Sequence, residues 1–209
     1  MSSPARFSLS RASEADLPEI IKLCWLCFDP TVRSLMLGCP TEENLPKLVE
    51  HHRRVMREIQ QAVWLKVVEN STGRIAAATL WKIYPNAGQP PSGDEQPPSW
   101  LEGEVRESSK KLLDEINQAR REANPRGFIH LHICFTDPEY RRQGAGALMM
   151  KWGCDLADIL SVPAWIEASA EGKPLYRGFG FVDAGEIPGV LTYMIREPKT
   201  LLREGGRSL

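Results

Sequence analysis

The segment from Phe128 to Leu160 constrains the fold more than any other part of the chain. It begins with an apolar run, FIHLHICFT, that predicts a β-strand over 128–136. After a turn, the spacing of apolar residues predicts a helix over 143–160. Gly144 and Gly146 stand at the start of that helix, directly behind two arginines. Because the first backbone N–H groups of a helix lack partners and attract anions, the segment predicts a site for a phosphate-like group.

Several kinds of anion site use a glycine turn of this type. A P-loop is excluded, because no Lys–Ser/Thr pair follows the glycines. A dinucleotide fingerprint stays open, since Gly144 and Gly146 supply its first two glycines and Glu167 lies where a ribose-binding acid would stand. Two features count against it: Met149 replaces the third glycine, and seven residues separate Thr136 from Gly144 where a tight turn is needed. Glycines that only cap and pack the helix are a further alternative.

The rest of the chain follows a mixed order of strands and helices. Strands are predicted at 7–11, 62–68, 75–83, 162–168 and 190–196, and helices at 17–28, from Thr41 onward, at 104–123 and at 173–178. The charged helix 104–123 is predicted to be exposed or weakly packed, and His51 and His52 to lie on a solvated helix face. We expect one domain over 1–200, with an insertion at 86–127 and a flexible tail at 201–209.

Composition limits the partners and the compartment. The net charge is −1, from 26 basic and 27 acidic residues, so we expect no nucleic-acid or membrane partner. The five cysteines form no regular framework, and Cys24 and Cys27 are spaced for the buried face of a helix rather than for a metal. The start has no secretory signal pattern and no apolar run is long enough to span a membrane, so we expect a cytoplasmic, metal-free protein.

The residues Arg141-Arg142-Gln143-Gly144-Ala145-Gly146 resemble motif A of the GNAT superfamily of acyl-CoA-dependent N-acyltransferases, which reads Gln/Arg-x-x-Gly-x-Gly/Ala. Leu175-Tyr176 and Gly180-Phe181 resemble the second signature of that superfamily, and 8–28 resembles its opening strand and helix. The resemblance implies an α/β fold. Its centre is a mostly antiparallel mixed sheet of six to seven strands with a splayed strand pair. About four helices and one inserted helix flank this sheet.

The resemblance also implies which residues bind coenzyme A. The pyrophosphate would lie against the turn and the first helical amides, and pantetheine would pair with the main chain of Phe135 and Thr136 like an added strand. Ser169 stands where many members carry an asparagine that contacts the cofactor. The implied turn residues are Arg141, Arg142, Gln143, Gly144, Ala145, Gly146 and Ala147.

The resemblance gives one strong catalytic candidate and several weaker ones. Tyr176 stands at the position of the general acid, which also contacts the cofactor. His130 occupies the position of the general base in the histone-acetyltransferase branch, and His132 and Glu167 are alternatives. Because strand residues alternate between faces, we predict that His130, His132, Cys134 and Thr136 share one face.

We therefore expect an N-acyltransferase that moves an acetyl group from acetyl-CoA to a primary amine within a ternary complex. A small amine or an amino acid is the first expectation for the acceptor. A protein or peptide N-acetyltransferase, or a non-catalytic acyl-CoA-binding domain of the same fold, is the alternative. We expect a monomer or a homodimer.

Overall fold

The computed structural model describes residues 5–86, 95–187 and 190–199. The predicted tail over 201–209 lies outside these residues, as does the stretch 87–94 of the predicted insertion. The assignment of 1–200 to one domain stays a prediction. The described strands are β1 Phe7–Arg11, β2 Ala62–Glu69, β3 Ile75–Tyr84, β4 Phe128–Thr136, β5 Ala164–Ala168, β6 Val182–Ile187 and β7 Leu191–Arg196.

These strands form one sheet in the order β1-β2-β3-β4-β5-β7-β6. Five of the six neighbouring pairs are antiparallel, and the β4–β5 pair at the centre is parallel. A parallel pair needs a crossover between its strands, and the helix that follows the glycine turn supplies it. The predicted fold class, a mostly antiparallel mixed sheet of six to seven strands, is confirmed.

Helices cover both faces of the sheet. They are α1 Leu17–Cys27, α2 Pro30–Leu35, α3 Leu45–Glu58, α4 Gly103–Ala123, α5 Ala145–Leu160 and α6 Lys173–Gly178. The apolar residues of α1 and α3 pack on one face, in a core with Trp64 and Phe135. Those of α5 pack on the opposite face, against Trp81 and Leu131. Within the described ranges, no helix is long and apolar enough to cross a bilayer.

The cysteines of α1 support the packing interpretation. Cys24 is fully buried in the core between α1, α3 and the sheet, as its helical spacing predicts. Cys27 lies one turn further on, where its Sγ atom is 3.6 Å from the carbonyl oxygen of Thr136. All five cysteines are unpaired thiols.

The sequence analysis missed one helix and described another wrongly. The α2 helix was not predicted, although Asp29 accepts hydrogen bonds from the amides of Thr31 and Val32 and Pro30 occupies the first turn, both ordinary helix-start signals. The α4 helix is not weakly packed, because Leu112 and Ile116 are buried against the ends of β4, β5 and β7. Although α4 carries many charged residues, its apolar residues recur at helical spacing and form a stripe along one face.

The prediction that His51 and His52 are both solvated is also wrong. His52 is 3% exposed and packs edge-on against Trp64 at a centroid distance of 5.3 Å. Burial lowers the pKa of His52 well below its usual value, because the charged form would lose its hydration. His51 is only partly buried, and it neighbours Trp100. The side chain of His52 therefore belongs to the neutral core under α3.

Close packing of α5 on the sheet depends on Gly153. A Cβ atom at this position would lie 2.1 Å from Cζ2 of Trp81, whose side chain is fully buried. We expect Gly153→Ala to lower the free energy of unfolding by about 1–2 kcal/mol, because overpacking costs up to about 3 kcal/mol and better helix propensity returns only about 1 kcal/mol. Gly178→Ala is the matched control, because a Cβ at this helical glycine meets nothing within 4 Å. Chemical denaturation would contradict this if both variants were equally stable.

The strand β4 contains an irregularity that decides which residues reach the site. Its register with β3 pairs Ile133 with Leu80 and Leu131 with Trp81, so His132 is an extra residue, as in a β-bulge. Ile133 then packs on the α1–α3 side, while Cys134 packs on the α5 side. The prediction that His130, His132, Cys134 and Thr136 share one face is therefore wrong. A bulge shifts the alternation by one residue, and no period-two rule anticipates it.

Candidate functional site

The candidate site lies where β4 and β5 separate. Their pairing covers only Ile129–Leu131 and Ala164–Ile166, whereas β4 continues to Thr136 and β5 to Ala168. The backbone of β4 beyond Leu131 consequently has β3 on one side and no strand of the described chain on the other. Such an unpaired edge can accept an extended ligand by main-chain hydrogen bonds.

The glycine turn stands at the end of this gap. Gly144 is the N-cap of α5 and has φ of 100°, a left-handed backbone conformation that side chains rarely allow. A Cβ at Gly144 would meet nothing within 4 Å, so backbone conformation, not crowding, requires glycine here. Gly146 is different, because its Cβ would lie 3.1 Å from Leu175 and 3.7 Å from Oγ1 of Thr136. The first turn of α5 thus packs tightly between β4 and α6.

The two arginines of the turn have different surroundings. Arg141 is held in place, since it donates to the carbonyl of Thr136 at 3.2 Å and to Glu171 at 2.6 Å. Arg142 is exposed with φ of 61°, and it has no ion-pair partner among the described residues. The side chain of Gln143 turns away from the helix start and donates to the carbonyl of Glu139. The amides of Ala145, Gly146 and Ala147 are the first of α5 and have no acceptor within the helix.

A cavity of about 90 Å³ opens in the gap between the two strands. Tyr176, Cys134 and Ser169 line the end nearest the glycine turn, and His132 with Glu95 lines the wall farther along. A second cavity of about 230 Å³ shares His132 and Glu95 and extends under α3. The gap therefore leads from the glycine turn into an enclosed space with ionisable groups on its wall.

Tyr176 is held rigidly at the near end of the cavity. Its side chain is 6% exposed, and Gly172 leaves room for the ring, since a Cβ there would lie 2.6 Å from Cε2 of Tyr176. The hydroxyl adjoins the thiol of Cys134, whose pKa burial raises to about 12. Burial likewise raises the pKa of Tyr176 well above its usual value. Tyr176 is therefore a protonated hydrogen-bond donor at neutral pH.

A buried ionic cluster stands behind the far wall of the cavity. Glu167 Oε2 lies 2.6 Å from Nε2 of His130, and Oε1 accepts from Arg120 at 3.0 Å and from the indole of Trp165 at 2.7 Å. The side chains of Glu167 and Arg120 are each only 5% exposed. Although burial opposes its charge, the neighbouring Arg120 and His130 hold the pKa of Glu167 well below its usual value. Glu167 is thus an ionised, fully bonded carboxylate and not a proton acceptor.

Glu95 is the second carboxylate of this cluster. Its Oε1 lies 2.5 Å from Nζ of Lys82, 3.1 Å from Nδ1 of His132 and 3.5 Å from Arg120. Burial opposes its ionisation, but these neighbours hold the pKa of Glu95 well below its usual value. Nδ1 of His132 faces this ionised carboxylate, which only accepts hydrogen bonds, so the neutral tautomer with its proton on Nδ1 is favoured. The lone pair of a neutral His132 then lies on Nε2.

His130 and His132 differ in their access to the cavity. His130 is fully buried, does not line either cavity, and uses Nε2 to contact Glu167. Its buried Nδ1 has no hydrogen-bond partner in the part of the chain that the structure describes. His132 lines both cavities and its side chain is 23% exposed. Burial lowers the pKa of both imidazoles, most strongly for His132, so both are neutral at pH 7. His132 is therefore the histidine that can meet a substrate.

Comparison with known proteins supplies the family context. A Schizosaccharomyces pombe protein, named an uncharacterized N-acetyltransferase, is 34% identical over a segment that covers 36% of this chain and 37% of the relative. The match thus spans little more than a third of the length of that relative. No protein-family model matches the chain.

Solved structures resemble this chain over more of its length, although at lower sequence identity. Arylalkylamine N-acetyltransferase 2 from Aedes aegypti superimposes with a TM-score of 0.65, at 15% identity over 93% of this chain and 100% of that chain. A Corynebacterium glutamicum structure, described as histone acetyltransferase HPA2 and related acetyltransferase, gives 0.61 at 18% identity over 94% and 98%. PaiA N-acetyltransferase from Thermoplasma acidophilum, in complex with coenzyme A, gives 0.51 at 11% identity over 91% and 98%. The chain has the GNAT fold. The resemblance to the GNAT superfamily that the sequence shows is therefore confirmed at the level of the fold.

Within the GNAT fold, sequence reasoning missed the residues that neighbour the predicted ones. The histidines of β4 are surrounded by Lys82, Glu95 and Arg120. Lys82 and Arg120 form ion pairs with Glu95, and Arg120 also forms one with Glu167. Glu95 and Arg120 both come from the predicted insertion. Glu95 lies in its Pro- and Gly-rich loop, and Arg120 lies on the charged helix that was predicted to be exposed. The one available signal was Arg120 itself, which follows Ile116 by four residues on the buried stripe of α4. Ser169 lies at the cavity edge and accepts from the amide of Gly172 at 3.3 Å.

The histidine cluster also has the ligand types of a metal site. Possible ligand atoms of Glu95, His130 and His132 lie within 4.8 Å of one another. Two cations, Lys82 and Arg120, already contact Glu95, and His130 uses Nε2 on Glu167. A divalent ion bound through Oε1 of Glu95 would lie beside both cations, which opposes its binding. The surroundings therefore disfavour a metal, and the absence of one stays a prediction.

Proposed function

We propose that this protein is an acyl-CoA-dependent N-acyltransferase that transfers an acetyl group from acetyl-CoA to a primary amine. The observation that carries the proposal is the gap between β4 and β5, which connects the glycine turn to a cavity walled by Tyr176 and His132. The coenzyme A in the PaiA structure and the acetyltransferases among the structural neighbours support it.

The turn and the gap offer contacts that suit coenzyme A. The amides of Ala145, Gly146 and Ala147 suit a pyrophosphate, since a helix N-terminus carries about half a positive charge. Arg142 is available for a charge-assisted contact, while Arg141 already bonds Glu171. The main chain at Phe135 and Thr136 belongs to the unpaired part of β4, which suits the amides of pantetheine.

The proposed chemistry is direct attack of the amine on the thioester. An amine with a pKa of about 10.4 is almost entirely protonated at pH 7, so a base must remove a proton. We assign this role to His132, which lines the cavity and whose Nδ1 faces Glu95, so that the lone pair of Nε2 is available. His132 takes one proton from the ammonium, and the neutral amine then attacks. The nitrogen–carbon bond forms as the carbon–sulfur bond breaks, and the second proton that the nitrogen loses ends on the released thiolate, which gives the free thiol. The sulfur departs as a thiolate and takes a hydrogen bond from the hydroxyl of Tyr176.

His130 and Glu167 have supporting roles in this proposal. His130 was the first candidate for the general base. It is fully buried behind the residues that line the cavity, and its Nε2 atom contacts Glu167. Glu167 in turn binds Arg120, which adjoins Glu95. Both residues therefore act by positioning the neighbours of His132, not by contact with a substrate.

A ligand panel tests the proposed cofactor. We expect acetyl-CoA to raise the melting temperature, since ligand at about 100 times its Kd adds about 2.7 kcal/mol of stability. We expect Gly144→Val to abolish the shift, because a β-branched residue cannot adopt φ of 100° without strain. Gly73→Val is the control, since Gly73 also has positive φ but lies in the β2–β3 turn, away from the gap.

The panel also separates the alternatives. A shift with NADH or NADPH but not with acetyl-CoA would refute the CoA proposal in favour of a dinucleotide site. A shift with acetyl-CoA, but no thiol release with any amine or peptide, would instead indicate a non-catalytic acyl-CoA-binding domain.

A further inference from the structure

The two cavities adjoin along the wall where the acceptor must lie. They share Leu37, Leu113 and Ile133 as well as His132 and Glu95. The nitrogen of an acceptor must approach His132 and Tyr176 in the smaller cavity. The rest of the acceptor molecule then has the larger cavity, or the apolar end of the smaller one, available to it.

The walls that would enclose the body of the acceptor are mostly apolar. Val32, Met36 and Ile116 line the smaller cavity, and Leu48, Val55 and Ile59 line the larger one. Histidines also reach the larger cavity, but burial lowers the pKa of both His51 and His52, which keeps them uncharged at neutral pH. Removal of apolar surface from water is the main gain available for binding here.

The charged groups in these walls balance one another. Among the described residues that line the two cavities, four side chains are charged: Lys82, Arg120, Glu95 and Glu167. Lys82 pairs with Glu95 at 2.5 Å and Arg120 with Glu167 at 3.0 Å. A ligand that brought in an extra carboxylate or a second ammonium would therefore find no unpaired opposite charge, and an unpaired charge out of water is unfavourable.

One carboxylate oxygen remains available for a single ammonium group. Both oxygens of Glu167 accept hydrogen bonds, from Arg120 and His130 among others. On Glu95 the shortest contacts with Lys82, His132 and Arg120 all fall on Oε1, and within the described part of the chain no side-chain hydrogen bond reaches Oε2. The carboxylate of Glu95 adjoins His132, so its Oε2 atom can receive the reacting ammonium before that group gives up its proton.

We infer that the acceptor is a primary monoamine with an uncharged, apolar body, an alkylamine or arylalkylamine, and not a polyamine, an amino acid or a peptide. This inference rests on the proposed acyltransferase function and specifies its substrate class. The structural neighbours include acetyltransferases named for spermidine and agmatine, and the paired charges of this cavity argue against such multiply charged acceptors here.

Two matched pairs of amines test the inference. Hexylamine and 1,6-diaminohexane differ by a second ammonium group, and 2-phenylethylamine and phenylalanine differ by a carboxylate. We expect kcat/KM at least tenfold higher for the monoamine of each pair, and at least tenfold tighter binding to the protein saturated with coenzyme A, measured by calorimetry. Equal or reversed preference within either pair, or faster acetylation of a peptide, would overturn the inference while the acyltransferase function stood.

The binding measurement separates the two claims. If no amine is acetylated, the proposed function fails, and calorimetry of the four amines still decides the class of ligand that the cavity takes.

A charge variant adds a second check: Leu113→Glu places an unpaired acid where the two cavities meet, and Leu113→Gln is its uncharged control. We expect Leu113→Glu, but not Leu113→Gln, to bind 1,6-diaminohexane more tightly than hexylamine. The same order of preference in both variants would contradict the charge argument.

Discussion

Tyr176→Phe is expected to bind acetyl-CoA with unchanged affinity and to lose about 10²–10³-fold in kcat. The ring is buried between Gly172 and the end of β4, so phenylalanine fits the same space. Only the hydroxyl is lost, and this hydroxyl is the proposed hydrogen-bond donor to the departing thiolate. Because burial raises its pKa, the donor stays protonated throughout the neutral range. Calorimetry would measure the affinity, and a free-thiol assay would measure kcat.

Tyr193→Phe is the matched control for this experiment. Tyr193 is also buried, at 7% exposure, and stacks on Trp165. Its hydroxyl has no hydrogen-bond partner among the described residues, and it does not line the two cavities. We expect this variant to retain the kcat of the wild type. Unchanged turnover in Tyr176→Phe would remove Tyr176 from the mechanism.

His132→Gln is expected to lower kcat/KM for an amine by about 10²–10⁴-fold at pH 7, the usual contribution of a general base. The deficit should shrink as the pH approaches about 10, because the amine then loses its proton to solvent. Burial lowers the pKa of His132, so the neutral, base-competent form is present above that pKa. The acid limb of the wild-type profile should therefore lie below about pH 6.5, the ordinary histidine pKa.

His130→Gln is the comparison, since it changes a histidine two residues away on the same strand. Glutamine can still donate a hydrogen bond to Glu167, and His130 does not line the cavity. We expect a change in kcat/KM of less than about tenfold, consistent with a positioning role. A large loss in His130→Gln together with full activity in His132→Gln would reverse the assignment of the base.

How far the sequence predicts the structure differs between local and long-range features. The unit of β4, the glycine turn and α5 follows from patterns within about thirty residues, and its predicted bounds agree with the structure to within two residues. The cluster around Glu167 joins β3, α4, β4 and β5 through contacts between residues up to 47 positions apart. No local pattern encodes such pairs. Arg120 looks solvated in the sequence because the segment that carries it, 104–123, is rich in charged residues.

The difference between local and long-range features also explains why the proposed base is His132 and not His130. Period-two alternation places His130 and His132 together, and they do share a face, with ring centroids 5.2 Å apart. Access to the cavity depends on the bulge at His132 and on Glu95, which is distant in sequence and follows a proline-rich stretch. Both features are tertiary, so the choice between the two histidines required coordinates.

The central claim is acetyl transfer to an amine across the gap between β4 and β5. A single-turnover reaction with acetyl-CoA and 2-phenylethylamine tests it most directly. The free thiol is measured with a colorimetric reagent, and the N-acetylated amine is measured by mass spectrometry. The account predicts that both products appear together, in equal amounts and at one rate, and that Tyr176→Phe slows both equally. Thiol release without N-acetylated amine, or no reaction although acetyl-CoA and the amine are bound, would contradict it.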